Sequence, residues 1–120
     1  MILIVDDEKT NQLIFEKILR KNSYRVQSIG NPRAALEQIA TGIFDLILMD
    51  YQLPGMTGAE ITSKIRKLPN QDVAKIPILA ITASNKQDDI RDCLESGMND
   101  VIEKPVNFDS LRAKLKKYLS

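Results

Sequence analysis

Histidine is missing altogether from the 120 residues. That excludes a histidine general base, a histidine metal ligand and a phosphohistidine carried on this chain, so any histidine chemistry must come from a partner. Cysteine is nearly as scarce. The single Cys93 cannot form an internal disulfide, which fits a reducing, cytoplasmic setting. It falls with Ile90 and Leu94 at helical spacing and reads as core filler rather than a reactive thiol. An excess of charge is lacking too: 17 Lys and Arg against 16 Asp and Glu leave a net +1. That balance offers no clustered basic surface for nucleic acid or an anionic membrane. No apolar run approaches the length of a bilayer span, and no signal-peptide pattern precedes the first apolar run. Gly and Pro number only five each, with no linker, repeat or low-complexity stretch. One domain over residues 1–120 is the expectation.

What is present is an alternation of short apolar runs and amphipathic stretches, five times over. Ile2 to Val5 has strand length and ends in Asp6-Asp7-Glu8; Ile14, Phe15, Ile18 and Leu19 then recur at helical spacing. Tyr24 to Ile29 alternates weakly, as a strand near a sheet edge would. Asn31-Pro32 supplies a helix N-cap and a first-turn proline, and the helix buries Ala35, Leu36 and Ile39 before stopping at Gly42. Ile43 to Met49, apolar apart from Asp45, leads to Asp50 and a Leu53-Pro54-Gly55 turn. Ile61, Ile65 and Leu68 mark a third helix, Pro77 to Ile81 a fourth strand closing at Thr82, and Ile90, Cys93 and Leu94 a fourth helix. Val101-Ile102 is a short strand before Lys104-Pro105. The last helix is predicted to bury Phe108, Leu111, Leu115 and Tyr118, with Lys114, Lys116 and Lys117 on its solvated face. Such alternation predicts an α/β fold: a flavodoxin-like five-stranded parallel sheet, order 2-1-3-4-5, with five helices covering both faces.

In that topology ligands sit beyond the carboxyl ends of the strands. Asp6, Asp7, Asp50, Thr82 and Lys104 all fall there. Each has a plain reading on its own: Asp7 as a helix cap, Asp50 as an acid before a turn, Thr82 as a strand former, Lys104 as a solvated charge. Their joint arrival on one rim favours chemistry. Three close carboxylates repel, and a cation is the usual remedy. With oxygen ligands only, that cation is hard, and Mg²⁺ fits best. A carboxylate beside Mg²⁺, a Lys and a hydroxyl is equipped for phosphoryl transfer, and Asp50 is the candidate nucleophile, forming an aspartyl phosphate.

Over its whole length the sequence resembles the receiver domain of bacterial response regulators and hybrid sensor kinases. The matching pieces are Ile2-Leu3-Ile4-Val5-Asp6-Asp7-Glu8, Leu48-Met49-Asp50 with Pro54-Gly55-Met56-Thr57-Gly58, Ile81-Thr82-Ala83, and Gly97-Met98-Asn99-Asp100 leading to Lys104-Pro105. The resemblance implies that Asp6 and Asp7 organise Mg²⁺, with Asp7 the direct ligand and the backbone carbonyl of Gln52 a further one. It implies that Asp50 accepts the phosphoryl group, that Thr82 and Lys104 bind its oxygens, and that Lys104-Pro105 is cis. The implied partner is a histidine kinase or histidine phosphotransfer domain, docking on the first helix and on the loop at Pro105. Leu13 and Ile14 strengthen that expectation, because the first helix has more apolar residues than one buried face needs. The wording around Asp50 and Gly97 is closer to receivers of hybrid kinases than to those of DNA-binding regulators. Both a stand-alone regulator and a piece of a larger, even membrane-bound, kinase stay open.

Some positions depart from the family pattern. Val101 stands where many receivers carry an aromatic that swings inward on activation. Thr57 replaces a frequent Asp and reads as a helix N-cap. Gln52 and Ser84 sit where the family tunes acyl-phosphate lifetime. Two rival functions remain. A phosphatase of the haloacid dehalogenase type would place its nucleophile after the first strand and its acidic pair last, the reverse of the order here. A phosphorylation-independent docking module would usually lose one of the five rim residues. The chain reads as no enzyme beyond catalysing its own phosphorylation and dephosphorylation.

Overall fold

The computed structural model describes residues 1–83 and 86–119. Five parallel strands form the central sheet: β1 (Ile2–Val5), β2 (Val26–Ile29), β3 (Leu46–Asp50), β6 (Ile78–Thr82) and β7 (Asp100–Glu103). Their spatial order, β2-β1-β3-β6-β7, is the predicted 2-1-3-4-5 order when only these five strands are numbered. The weakly alternating β2 lies at an edge, as its pattern implied. The three central strands are buried at every residue, which is why they read as continuous apolar runs.

Period-two alternation along these strands divides the core in two. Leu3, Val5, Ile47, Met49, Ile78 and Ala80 face one layer, built by α2 (Pro32–Ile39), α3 (Gly58–Arg66) and α5 (Gln87–Glu95). Ile2, Ile4, Leu46, Leu48, Leu79 and Ile81 face the other, built by α1 (Lys9–Lys21) and α6 (Phe108–Leu119). Phe15 and Phe108 join α1 to α6 edge to face, with ring centroids 6.3 Å apart. The side chain of Asn31 caps α2 by accepting from Arg33 N and Ala34 N, and Thr57 caps α3 by accepting from Glu60 N.

Several expectations need correction. A two-stranded hairpin, β4 (Gln52–Leu53) with β5 (Met56–Thr57), replaces the bare turn after Asp50, and a one-turn helix α4 (Gln71–Ala74) precedes β6. Both are too short to give a periodic signal. Asp45 lies outside β3, which begins at Leu46. Leu94 is about half exposed, while Cys93 carries the core contact of α5. Phe108 and Tyr118 are only partly buried, since they lie at the rim of the α1–α6 layer. Lys114 does not simply solvate α6: its ammonium lies 2.9 Å from Asp100 Oδ1. Asp7 does not cap α1, whose N-cap is Glu8 with no side-chain cap bond.

Arg66 closes the α3 side of the fold. Its guanidinium donates to the carbonyls of Ala74, Ile76 and Gly97 and to Asn99 Oδ1, at 2.6–3.0 Å. Asn99 Oδ1 also accepts from Ile78 N at 2.8 Å, so one side chain ties the start of β6 to the turn before β7. Gly58 brings α3 against β3: its N–H donates to the Tyr51 carbonyl at 2.8 Å. A Cβ there would strike the Asp50 carbonyl oxygen and come within 2.8 Å of Met49 Cγ. By contrast, a Cβ on Gly55 would meet nothing within 4 Å, although its φ of +77° disfavours other residues. Gly58→Ala is therefore expected to cost about 3 kcal/mol in urea denaturation, against about 1 kcal/mol for Gly55→Ala. Equal losses would contradict the close-approach argument.

Candidate functional site

The carboxyl ends of the strands deliver the predicted residues to one rim. β1 runs into Asp6 and Asp7, β3 ends on Asp50, β6 ends on Thr82, and Lys104 follows β7. The ladder sets their alignment: Asp50 is opposite Ile81, Thr82 is opposite Glu103, and Lys104 N donates to the Thr82 carbonyl at 2.8 Å. One carboxylate oxygen from each of Asp6, Asp7 and Asp50 lies within 4.8 Å of the others. Lys104 Nζ is 3.8 Å from Asp50 Oδ1, an ion pair too long for a hydrogen bond. Asp6, Asp50 and Thr82 are buried, whereas Asp7 is exposed.

This setting acts on Asp50 directly. Burial pushes its carboxyl up to about 6; the Lys104 ammonium pulls it down, Asp6 and Asp7 push it further up, and a backbone hydrogen bond from Gln52 opposes them. A carboxylate still ionised at neutral pH, next to an ammonium and a hydroxyl-bearing strand end, is a usable oxygen nucleophile. The three carboxylates supply oxygen donors only, which suits a hard divalent cation such as Mg²⁺.

Backbone contacts hold the β1–α1 turn around these acids. Asp6 N donates to Ile29 O at 3.1 Å, Asp6 Oδ1 accepts from Glu8 N at 2.9 Å, and the buried Gln12 amide donates to the Asp6 carbonyl at 2.5 Å. Tyr51, buried beside Asp50 in sequence, sends its hydroxyl to Asp92 Oδ2 on α5 at 2.9 Å. Sequence reasoning missed Gln12 and Tyr51. Gln12 did carry a signal: a polar residue on the buried stripe with Phe15 and Leu19.

The predicted docking residues separate. Ile14 and Pro105 meet in a cleft of about 330 Å³ beside the rim, with Phe15, Val106 and Phe108 as its apolar walls and Lys104 at its end. Leu13 is the most exposed large apolar side chain among the described residues, at 60%, and does not line that cleft. A larger hollow of about 480 Å³ lies at the amino ends of β3 and β6, lined by Phe44, Val73 and Pro77, and holds none of the rim residues. Lys104-Pro105 is cis. Val101 is partly buried against the α2–α3–α5 layer, and Ser84 lies outside the described residues.

Comparison with known proteins agrees with this geometry. The family model for the response regulator receiver domain matches residues 2–116. Hybrid signal transduction histidine kinase B of Dictyostelium discoideum is 37% identical over 129 residues, covering 99% of this chain but 7% of the relative. The chain thus spans a small part of that protein's length. The receiver domain of sensor histidine kinase PA1611 from Pseudomonas aeruginosa PAO1, solved with magnesium in its active-site cleft, superposes with a TM-score of 0.89 at 35% identity, covering 98% of this chain and 95% of that one. The receiver domain of the Saccharomyces cerevisiae response regulator Ssk1, crystallised with the histidine phosphotransfer protein Ypd1, superposes at 0.86 with 34% identity, covering 98% and 87%. With sheet order, rim and sequence in agreement, the chain belongs to the response regulator receiver domain family.

Proposed function

We propose that residues 1–120 act as one phosphorelay receiver unit whose Asp50 accepts a phosphoryl group from a partner's phosphohistidine. The observation that carries this reading is the convergence of Asp6, Asp7 and Asp50 with Lys104 on one rim. An Asp50 carboxylate oxygen attacks phosphorus, the new O–P bond forms as the N–P bond of phosphohistidine breaks, and the leaving imidazole nitrogen takes a proton from solvent. Lys104 neutralises charge on the transferred group, and Thr82 at the end of β6 binds one of its oxygens. Asp6, Asp7, Asp50 and the Gln52 carbonyl would hold Mg²⁺, which supplies charge neutralisation for the incoming phosphate. The magnesium in the PA1611 receiver and the histidine phosphotransfer partner of the Ssk1 receiver support the same cofactor and partner class here. No helix among the described residues is long and apolar enough to cross a membrane, and a cytoplasmic position, free or within a hybrid kinase, fits this role. The chain then acts on no separate substrate. The haloacid-dehalogenase reading is disfavoured because the acidic pair follows β1 and Asp50 follows β3, the reverse of that enzyme order. The docking-module reading is disfavoured because all five rim residues are present.

With a small phosphodonor and Mg²⁺, intact mass should show one added phosphoryl group on the wild type and none on Asp50→Asn. Excess chelator should abolish labelling, and Asp7→Ala should weaken it more than Glu8→Ala. Persistent labelling in chelator would remove the metal from the reaction.

Without metal, the raised Asp50 pKa has a consequence for stability. A carboxyl raised in the folded state contributes stability below its unfolded value of 3.8, lost as pH rises through about 6. In chelator at pH 7.5, Asp50→Asn should therefore be more stable than wild type by about 1–2 kcal/mol, discounted for the solvent at the rim. The gap should close below pH 4. A constant gap across that range would point to packing rather than charge.

The cleft joining Ile14 and Pro105 is the proposed docking surface for the histidine partner. Ile14→Ala should slow transfer from the cognate histidine protein and leave small-donor labelling unchanged. Leu13→Ala should do likewise only if the partner's footprint extends past the cleft. An equal loss in both reactions for Ile14→Ala would place docking elsewhere.

A further inference from the structure

Asp6 is the last residue of its segment to donate a backbone hydrogen bond to a neighbouring strand, through its N–H to Ile29 O, and its carbonyl has run past the ladder. β1 pairs with β2 only as far as Val5 opposite Ile29, and with β3 only as far as Val5 opposite Met49. Beyond Ile29 the neighbouring chain turns away through Gly30 and Asn31, and Pro32, opening α2, has no N–H to offer. A buried carbonyl left there would be costly without a donor. The donor is the Gln12 side chain, 8% exposed, whose Nε2 lies 2.5 Å from the Asp6 carbonyl oxygen. Gly30 packs beside this contact: a Cβ at residue 30 would sit 3.4 Å from both the Asp6 oxygen and Asp7 Cα and 3.5 Å from Gln12 Nε2, ordinary packing distances. The Gln12 side chain thus ties α1 to the turn, one peptide away from Asp7.

We propose that Gln12 is a positioning residue of the acidic site, fixing the β1–α1 turn so that Asp6 and Asp7 reach a common small cation. The inference rests on the reading of Asp6, Asp7 and Asp50 as the cation ligands. Gln12 touches neither cation nor phosphate; it acts through the Asp6 peptide. The physical content is rigidity. Mg²⁺ demands a near-octahedral ligand set, whereas Ca²⁺ accepts a looser one. Removing the clamp therefore harms Mg²⁺ binding more than Ca²⁺ binding, although no charge and no ligand has changed.

Calorimetric titration of the folded protein with each metal alone tests this. Gln12→Met keeps the length and removes the donor. It should weaken Mg²⁺ about tenfold, as loss of a ligand-orienting contact does, while the Ca²⁺ constant moves far less. An unchanged Mg²⁺ constant, or parallel losses of both metals, overturns the role of Gln12. Asp7→Asn in the same assay should lose both metals. Wild-type protein that binds neither overturns the metal reading itself, a different failure. A measurement on the wild type covers the case of a variant that does not fold. The Gln12 side-chain amide resonances should move during Mg²⁺ titration with the same midpoint as the Asp7 backbone amide. Resonances that stay fixed while Asp7 titrates overturn the inference.

Discussion

Mutual repulsion among three carboxylates is the constraint around which the rest of this structure is arranged. At an effective dielectric of about 20, two charges at the separation of Asp6 and Asp50 repel by on the order of 3 kcal/mol. The Lys104 ammonium, 3.8 Å from Asp50, attracts by a similar amount on the same scale. One cation side chain thus offsets one repulsion and leaves Asp7 uncompensated. The rim is a surface in charge deficit, and burial of Asp6 and Asp50 deepens that deficit by removing water. A cation bound among these oxygens would relieve it.

Holding such a cluster requires a frame stiffer than the repulsion. The frame is the all-buried trio β1, β3 and β6, whose ladders fix where each strand ends. The turns beyond those ends are then pinned individually: Asp6 by Ile29, Glu8 and Gln12, Gly58 by the Tyr51 carbonyl, and Lys104 by the Thr82 carbonyl. Arg66 plays the corresponding part at the far side, binding carbonyls that the turns around α4 and Gly97 would otherwise leave without partners. Apolar burial supplies the bulk of the stability, but these polar contacts place the reactive groups.

Much of this was legible in the sequence, for identifiable reasons. Buried parallel strands announce themselves as apolar runs, and their ends carry the site, so Asp6, Asp7, Asp50, Thr82 and Lys104 could be placed on one rim from order alone. Asn31-Pro32 and Thr57 could be read as caps because capping chemistry is local. The hairpin at 52–57 and the single turn at 71–74 could not, since neither is long enough to show a period. Lys114 was misplaced for another reason: helical spacing says which face a residue occupies, not that Asp100 of the neighbouring strand would meet it. Gln12 escaped because a polar residue on an apolar stripe looks like noise until the orphan carbonyl it serves is known.

The route from the rim to the rest of the molecule follows from the same contacts. Val101 stands where an aromatic would be usual, and it offers packing but no hydrogen bond. Tyr51, directly after Asp50 in the chain, joins three elements at once. Its N–H donates to the Ile81 carbonyl on β6, its carbonyl accepts from Gly58 at the start of α3, and its hydroxyl reaches Asp92 on α5. Burial, followed by the hydrogen bond to Asp92, raises the phenol above its usual range. The segment after Asp50 is therefore joined to β6 and α3 through the Tyr51 backbone and to α5 through the Tyr51 ring.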